Sequence, residues 1–265
     1  MLVSMLIYCA LGSVAGILAG LLGVGGGIVI VPMLVFAFNW QGIPPDLIML
    51  LALGTSMSSI VFTSISSARA HSRNGNVDWR AVRTIAPGIV AGTLCGTYLA
   101  SILPTRFLQI FFVAFLMFVA IQMLGNKKPR PSRHLPGLGG MSAAGGAIGL
   151  TSGIVGIGGG TLSVPFLIWN NVDMRKAIGT SAAIGFPIAV AGSLGYLVNG
   201  WSDPRLPSWS LGYIYLPALI GIVAFSMVTV PFGARLAQAL PVPRLRKCFA
   251  VLLVAVGARM LFNAL

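Results

Sequence analysis

The stretch GLLGVGGGIVIVP, residues 20–32, places five glycines within eight positions of an otherwise apolar run. Glycine costs about 1 kcal/mol relative to alanine in the interior of a helix. Five glycines in an apolar segment therefore predict a break in the helix instead of a continuous span. The pattern returns in the second half of the chain as GIVGIGGGTLSVP, residues 153–165, so the break is predicted twice.

The chain consists of two similar halves. The glycine stretches align at Gly16, Gly20, Gly23, Gly25, Gly26, Gly27, Val31, Pro32 and Leu34, which match Gly149, Gly153, Gly156, Gly158, Gly159, Gly160, Val164, Pro165 and Leu167. A Gly-Thr-Ser motif follows in each half, and the final apolar run of each half opens with a Leu-Pro pair. The shared order of these landmarks predicts a first repeat over residues 1–125 and a second over 138–265, joined by a basic, proline-rich linker, residues 126–137.

The composition is that of an integral membrane protein. Hydrophobic residues make up 57% of the chain and charged residues only 8%, against about 25% charged residues in ordinary soluble domains. Apolar runs approach or pass the roughly 20 residues that a helix needs to cross a bilayer; they cover residues 4–22, 47–68, 84–103, 107–125, 138–157, 177–198, 211–234 and 247–264. These runs predict an all-α polytopic membrane protein.

The basic residues indicate how the two halves are oriented. The net charge of +13 could suggest nucleic-acid binding, but the Lys and Arg residues lie mainly in short connections, as the positive-inside rule predicts for membrane proteins. If each glycine segment is a re-entrant hairpin followed by three transmembrane helices, the halves are inverted. All but three of the 17 Lys and Arg residues then face the cytoplasm, in the connections 69–83, 127–134, 175–176 and 235–247. If each half instead crossed the membrane four times, the Lys and Arg residues would be divided almost evenly between the two sides. We therefore favour inverted repeats.

A chain that turns inside a membrane exposes backbone N–H and C=O groups, which only protein or a water-filled cavity can satisfy. Two such turns from opposite sides would meet near the midplane, where the start of the following half-helix favours an anion. The predicted backbone ligands are Gly25, Gly26, Gly27, Gly158, Gly159, Gly160 and Thr161, with the hydroxyls of Thr55, Ser56, Thr180 and Ser181. The alternative for these hydroxyls is a bond back to a carbonyl of their own helix.

Other glycines fit a purely structural role better. Small residues spaced four apart let two membrane helices approach closely. This spacing occurs in three series, which are Gly12, Gly16 and Gly20; Gly88, Gly92 and Gly96; and Gly145, Gly149 and Gly153. We therefore predict that these glycines pack against neighbouring helices.

Charged groups are scarce in the apolar runs. The chain has no Glu, and its four Asp residues and two His residues lie in or beside loops. Metal centres, cofactor sites and acid–base catalysis lack their usual side chains within the membrane, so an enzyme is not expected. Arg69 and Arg73, in the basic connection nearest the membrane, are candidates for attracting an anion to the inner mouth, with topology signalling as the alternative.

Taken together, GLLGVGGGIVIVPML, ALGTS, GNVDWRAV and the LP…FLMFVAIQML segment resemble the sulfite exporter TauE/SafE family of membrane transporters. The resemblance extends over nearly the whole chain. It implies an inner-membrane permease for a small sulfur-containing anion such as sulfite, sulfoacetate or a related sulfonate.

We expect export driven by the membrane potential, because one negative charge moving outward gains about 2.3 kcal/mol per 100 mV and no intramembrane carboxylate is present for proton coupling. The alternatives are an anion channel without alternating access and a permease for a non-sulfur carboxylate. The expected partners are the small anion and the lipid bilayer, with a homo-oligomer possible and nucleic acid excluded. No cofactor or metal is expected.

Overall fold

The computed structural model describes residues 2–22, 26–124, 135–239 and 242–264. Within these residues the first half contains the helices α1 (Leu2–Leu22), α2 (Gly27–Trp40), α3 (Pro45–Arg73), α4 (Trp79–Ile102) and α5 (Thr105–Leu124). The second half contains α6 (Leu138–Val155), α7 (Gly160–Trp169), α8 (Met174–Gly200), α9 (Leu216–Ala239) and α10 (Val242–Ala264). A short antiparallel β-hairpin precedes α9. Its strands, β1 (Ser210–Leu211) and β2 (Ile214–Tyr215), have two residues each.

The predicted class, an all-α polytopic membrane protein, is confirmed. Among the described residues, α3, α4, α5, α6 and α8 are long and apolar enough to cross a membrane. Residues 126–134 of the predicted linker lie outside the described residues, as does Gly25.

The helix breaks occur at the glycine stretches in both halves. Gly156 ends α6 with a φ of 71°, and Gly26 precedes α2 with a φ of 70°. These angles lie in the left-handed region, which costs a residue with a Cβ roughly 1–2 kcal/mol. The predicted breaks therefore follow from the conformational freedom of glycine at these two positions.

Helices α1 and α2 pack against each other, and the start of α2 lies beside the middle of α3. The Tyr8 hydroxyl of α1 donates a 2.7 Å hydrogen bond to Oε1 of Gln41, directly after α2. The Tyr8 ring also lies edge-on to Phe38, near the end of α2. At the other end of α2, Gly27 approaches Ile60, which lies at the centre of α3.

Glycines bring helices of the two halves into backbone contact. A Cβ on Gly12 of α1 would lie 2.8 Å from the Cα of Ile222 in α9, and a Cβ on Gly145 of α6 would lie 2.5 Å from the carbonyl oxygen of Ile85 in α4. Similar close approaches occur at Gly16, Gly88, Gly92, Gly96, Gly149 and Gly153. The predicted packing role of these glycines is confirmed, and Gly20 lies where side-chain surroundings are not described.

The two equivalent long helices, α3 and α8, pack side by side in opposite directions. Met57 in the middle of α3 contacts Gly192 in the second half of α8, whereas Ser64 further along α3 faces Gly185, earlier in α8. Residue numbers therefore rise along one helix as they fall along the other. This antiparallel pair forms the centre of the molecule, and the glycine breaks of both halves meet against it.

Candidate functional site

A cavity of about 40 Å³ lies where α3, the start of α7 and α8 meet. At roughly 10–15 Å³ for each water molecule, it has room for about three waters. Its lining residues are Ile60, Thr63, Ser64, Ser67, Gly158, Gly159, Gly160, Ser181, Ala182 and Gly185. The cavity extends from the glycine break of the second half toward the last turns of α3 and the first turns of α8.

Backbone donors are available at the break. Val155 ends α6 and Gly160 begins α7, so the first N–H groups of α7 have no partner within the helix. The N–H groups of Leu162 and Ser163 donate to the carbonyl oxygen of Gly159. Within the described part of the chain, the four preceding N–H groups, from Gly158 through Thr161, donate no hydrogen bond to another protein group.

Side-chain hydroxyls without partners surround the same break. Ser181 lines the cavity with 2% of its surface exposed, and its Oγ has no hydrogen-bond partner. The hydroxyls of Thr161 and Ser163, in the first turns of α7, are also buried and without partners. A buried polar group left unsatisfied costs about 1–3 kcal/mol. These hydroxyls are therefore ready to bond a ligand or water.

Ser163 was missed by the sequence analysis. Its counterpart in the first repeat is Ile30, so a search for polar residues shared by both halves passes over it. The only sequence feature that could have indicated it is a hydroxyl side chain one helical turn after Gly159, within an apolar run. The structure places its Oγ 2.9 Å from where a Cβ on Gly159 would lie.

Ile60 contacts both glycine breaks. Its Cδ1 lies 2.8 Å from the Cβ position of Gly27, and its Cγ2 lies 3.3 Å from that of Gly158. The Cβ position of Gly27 is also 3.1 Å from the carbonyl oxygen of Gly156. The described part of the first break thus meets the second break, and an apolar side chain closes the floor of the cavity between them.

The cavity has no charged side chain among its described lining residues. The positive end of the α7 dipole supplies the local field instead. No group of three His, Cys, Asp or Glu residues able to hold a metal occurs in the part of the chain that the structure describes.

The two candidate entrance residues do not line the cavity. Arg69 and Arg73 are exposed in the last turns of α3. At 3.6 residues per turn they lie on the opposite side of the helix from the cavity-lining row that ends at Ser67. Their proposed attraction of an anion stays a hypothesis.

The threonines of the Gly-Thr-Ser motifs are engaged elsewhere. Thr55 Oγ1 accepts a 3.0 Å hydrogen bond from the backbone N–H of Tyr215, the residue before α9. Thr180 Oγ1 accepts a 2.9 Å hydrogen bond from the N–H of Asp78, the residue before α4. Both threonines are fully buried and neither lines the cavity. Each therefore holds the connection that starts a helix of the other half.

The glycine of each motif allows this contact. A Cβ on Gly54 would collide with the carbonyl oxygen of Tyr213, and a Cβ on Gly179 would collide with that of Asn76. Each collision is with the connection that the neighbouring threonine holds. Glycine and threonine thus act together at the same place in both halves.

The serines of the two motifs differ from each other. Ser56 Oγ donates a 2.9 Å hydrogen bond to the carbonyl oxygen of Gly156, whereas Ser181 Oγ is buried without a hydrogen-bond partner in a residue that lines the cavity. The repeat counterpart of Gly156 is Gly23, which lies outside the described residues. Of the four predicted hydroxyls, only Ser181 lines the cavity.

Comparison with known proteins identifies the family. Residues 8–260 match the family model described as sulfite exporter TauE/SafE. The chain belongs to this family. The predicted resemblance is thereby confirmed.

Relatives across the family carry the same kind of name. A probable membrane transporter protein of Haemophilus influenzae is 41% identical over 260 residues, covering 96% of this chain and 97% of the relative. A probable membrane transporter protein of Bacillus subtilis is 25% identical, covering 99% of both chains. One of Methanocaldococcus jannaschii is 27% identical, covering 94% of this chain and 92% of the relative. No solved structure matches the chain. Family and relatives together indicate a multi-pass membrane transporter.

Proposed function

We propose that the protein carries a small oxyanion across the membrane by way of the cavity between α3, α7 and α8. The observation that carries this proposal is the set of donors at one uncharged site. Four N–H groups, from Gly158 through Thr161, and the buried hydroxyl of Ser181 have no acceptor among the residues that the structure describes. An anion at the start of α7 would satisfy them together.

The size and polarity of the cavity favour a compact ligand. A volume of about 40 Å³ suits an ion of a few heavy atoms. Sulfite, with three acceptor oxygens, fits this donor set, and the family description supports it. A small carboxylate offers two acceptors and is the second choice. Neutral donors bind the anion without a fixed counter-charge, so release stays easy.

We further propose that the halves are inverted across a cell inner membrane. The antiparallel packing of α3 and α8, which are counterparts in the repeat, supports this arrangement. Each glycine hairpin then enters from its own side and returns. The repeats would cover residues 1–125 and 138–265, with the connections 69–83 and 175–176 in the cytoplasm, so the cavity would open inward.

An inward-facing anion site supports export driven by the membrane potential. Outward movement of one negative charge gains about 2.3 kcal/mol per 100 mV. Asp173, the acidic residue before α8, accepts a 2.9 Å hydrogen bond from the N–H of Arg175 and so caps the helix. Ile60 closes the floor of the cavity, which favours a carrier over a continuously open channel.

The test is sulfite flux into vesicles that contain the purified protein. We expect Ser181→Ala to raise the KM for sulfite several-fold, because one donor is lost. Ser193→Ala is the matched control, since Ser193 lies on the same helix but donates to Ala189 of its own helix. Counterflow of labelled sulfite separates a carrier from a channel. Equal KM values for wild type and Ser181→Ala would contradict the site.

A further inference from the structure

The cavity-lining residues have counterparts in the other repeat. Continuing the Gly-Thr-Ser alignment along α3 and α8 pairs Ser181 with Ser56 and Ala182 with Met57. The same alignment pairs Ser67 with Gly192. These three residues of the cavity lining thus have equivalent positions in the other repeat.

At the positions equivalent to Ala182 and Ser67, α3 and α8 are in contact. The Cβ position of Gly192 lies 2.9 Å from Sδ and 3.0 Å from Cγ of Met57, and Met57 is fully buried. The corresponding pair, Ser67 and Ala182, lines the open cavity. One pair of helix positions is therefore packed together on one side of the molecule and separated by a cavity on the other.

The framework around this difference is the same on both sides. Thr55 holds the segment before α9, and Thr180 holds the segment before α4, with hydrogen bonds of 3.0 and 2.9 Å. The glycines beside them approach the same two segments. The two halves differ on the cavity side of α3 and α8, where Ser56 is bonded and Ser181 has no partner.

We propose that the anion site has a second entrance, lined by Ser56, Met57, Ile188 and Gly192, which Met57 closes in this structure by packing against Gly192. This proposal rests on the proposed function, because the second entrance admits the same small anion. Two like halves in opposite orientation can exchange conformations around one central site. In the exchanged arrangement Ala182 packs against Ser67 and Met57 leaves Gly192. Methionine is suited to this role because its unbranched side chain can pack both against Gly192 and away from it.

The first test measures which side of the membrane reaches each entrance. Single cysteines are introduced as Ala182→Cys and Met57→Cys in a transport-competent variant whose Cys9, Cys95 and Cys248 are replaced by serine. A membrane-impermeant maleimide is then applied to vesicles of either orientation. We expect Ala182→Cys to react from one side and Met57→Cys from the opposite side. Reaction of both from the same side, or of Ala182→Cys alone, would overturn the proposal.

The second test locks the closed pair. In Met57→Cys combined with Gly192→Cys, the new Sγ at position 57 lies about where Met57 Cγ now lies, 3.0 Å from the Cβ position of residue 192, within reach of a disulfide. We expect oxidation to stop transport and reduction to restore it, with each single variant insensitive to oxidant. Full transport by the cross-linked protein would overturn the proposal.

The two proposals fail in different ways. Cysteines that react from opposite sides, in a protein that moves no anion under any condition, would remove the proposed function and leave the second entrance. Saturable sulfite flux with counterflow, in a protein whose Met57→Cys variant reacts from neither side, would support the proposed function and contradict the second entrance.

Discussion

The hydroxyl of Thr180 accepts a 2.9 Å hydrogen bond from the backbone N–H of Asp78, across the boundary between the two halves of the chain. Asp78 in turn caps α4, because its carboxylate accepts from the N–H groups of Arg80 and Ala81 at 3.0 Å. The Gly-Thr-Ser motif of the second half thereby fixes the start of a membrane helix in the first half.

This relationship predicts a loss of stability when the acceptor is removed. Thr180→Val keeps the shape of the side chain but leaves the N–H of Asp78 without a partner, at a cost of about 1–3 kcal/mol. Thr180→Ser keeps the hydroxyl and serves as the control. Thermal unfolding of the purified proteins in detergent would show a lower midpoint for the valine variant only. A valine variant as stable as wild type would mean that the hydrogen bond contributes nothing.

Gly179→Ala tests the close approach beside the same hydrogen bond. The added Cβ would collide with the carbonyl oxygen of Asn76, and backbone cannot move aside as a flexible side chain can, so we expect a loss of about 1–3 kcal/mol. Gly146→Ala is the control, because its Cβ would meet nothing nearer than 3.8 Å. The measurement is the yield of folded protein together with its unfolding midpoint. Equal values for the two variants would contradict the packing described here.

Gly156→Ala tests the break itself. The position has a φ of 71°, and a Cβ there would lie 2.6 Å from Leu53 Cδ2, so a penalty of roughly 1–2 kcal/mol from the backbone is joined by crowding. Gly137→Ala, at a φ of −62° with open space around it, is the comparison. We expect the unfolding midpoint to fall for Gly156→Ala alone, and a fall of the same size in both variants would show that the backbone angle is not the cause.

Ile60→Ala removes the apolar side chain that lies between the two breaks. We expect an ion leak, because the floor of the cavity then opens toward Gly27. Conductance of the reconstituted protein in a planar bilayer measures the leak directly. Ile89→Ala, at a fully buried residue of α4 outside the cavity lining, controls for general loosening of the structure. The absence of any added conductance in Ile60→Ala would remove Ile60 as the barrier.

The sequence allowed the backbone features to be predicted. The breaks at Gly26 and Gly156 and the close packing at Gly12 and Gly145 depend on the missing Cβ, which the sequence states outright. Local rules of this kind need no knowledge of the neighbouring helix. The all-α membrane class followed from composition in the same way.

The direction in which a side chain points could not be predicted. Thr55 and Ser56 are adjacent, yet one holds Tyr215 and the other donates to Gly156. The partner of each side chain depends on the register of α3 against α8 and α9, which the sequence does not reveal. A hydroxyl can also bond a ligand or a backbone group equally well, so its presence does not indicate which one it binds. A comparison of the two halves selects polar residues that both halves share. It therefore passes over Ser163, whose counterpart is Ile30.

An anion held by Ser181 and the N–H groups at the start of α7 is central to the proposed transport. The direct measurement is the sulfite-dependent rise in the unfolding midpoint of the purified protein, which follows mass action for a ligand that binds only the folded state. We predict a saturable rise for wild type and for Ser193→Ala, and a rise for Ser181→Ala that needs about tenfold more sulfite, as loss of about 1.4 kcal/mol requires. The same dependence on sulfite in all three proteins would contradict the account.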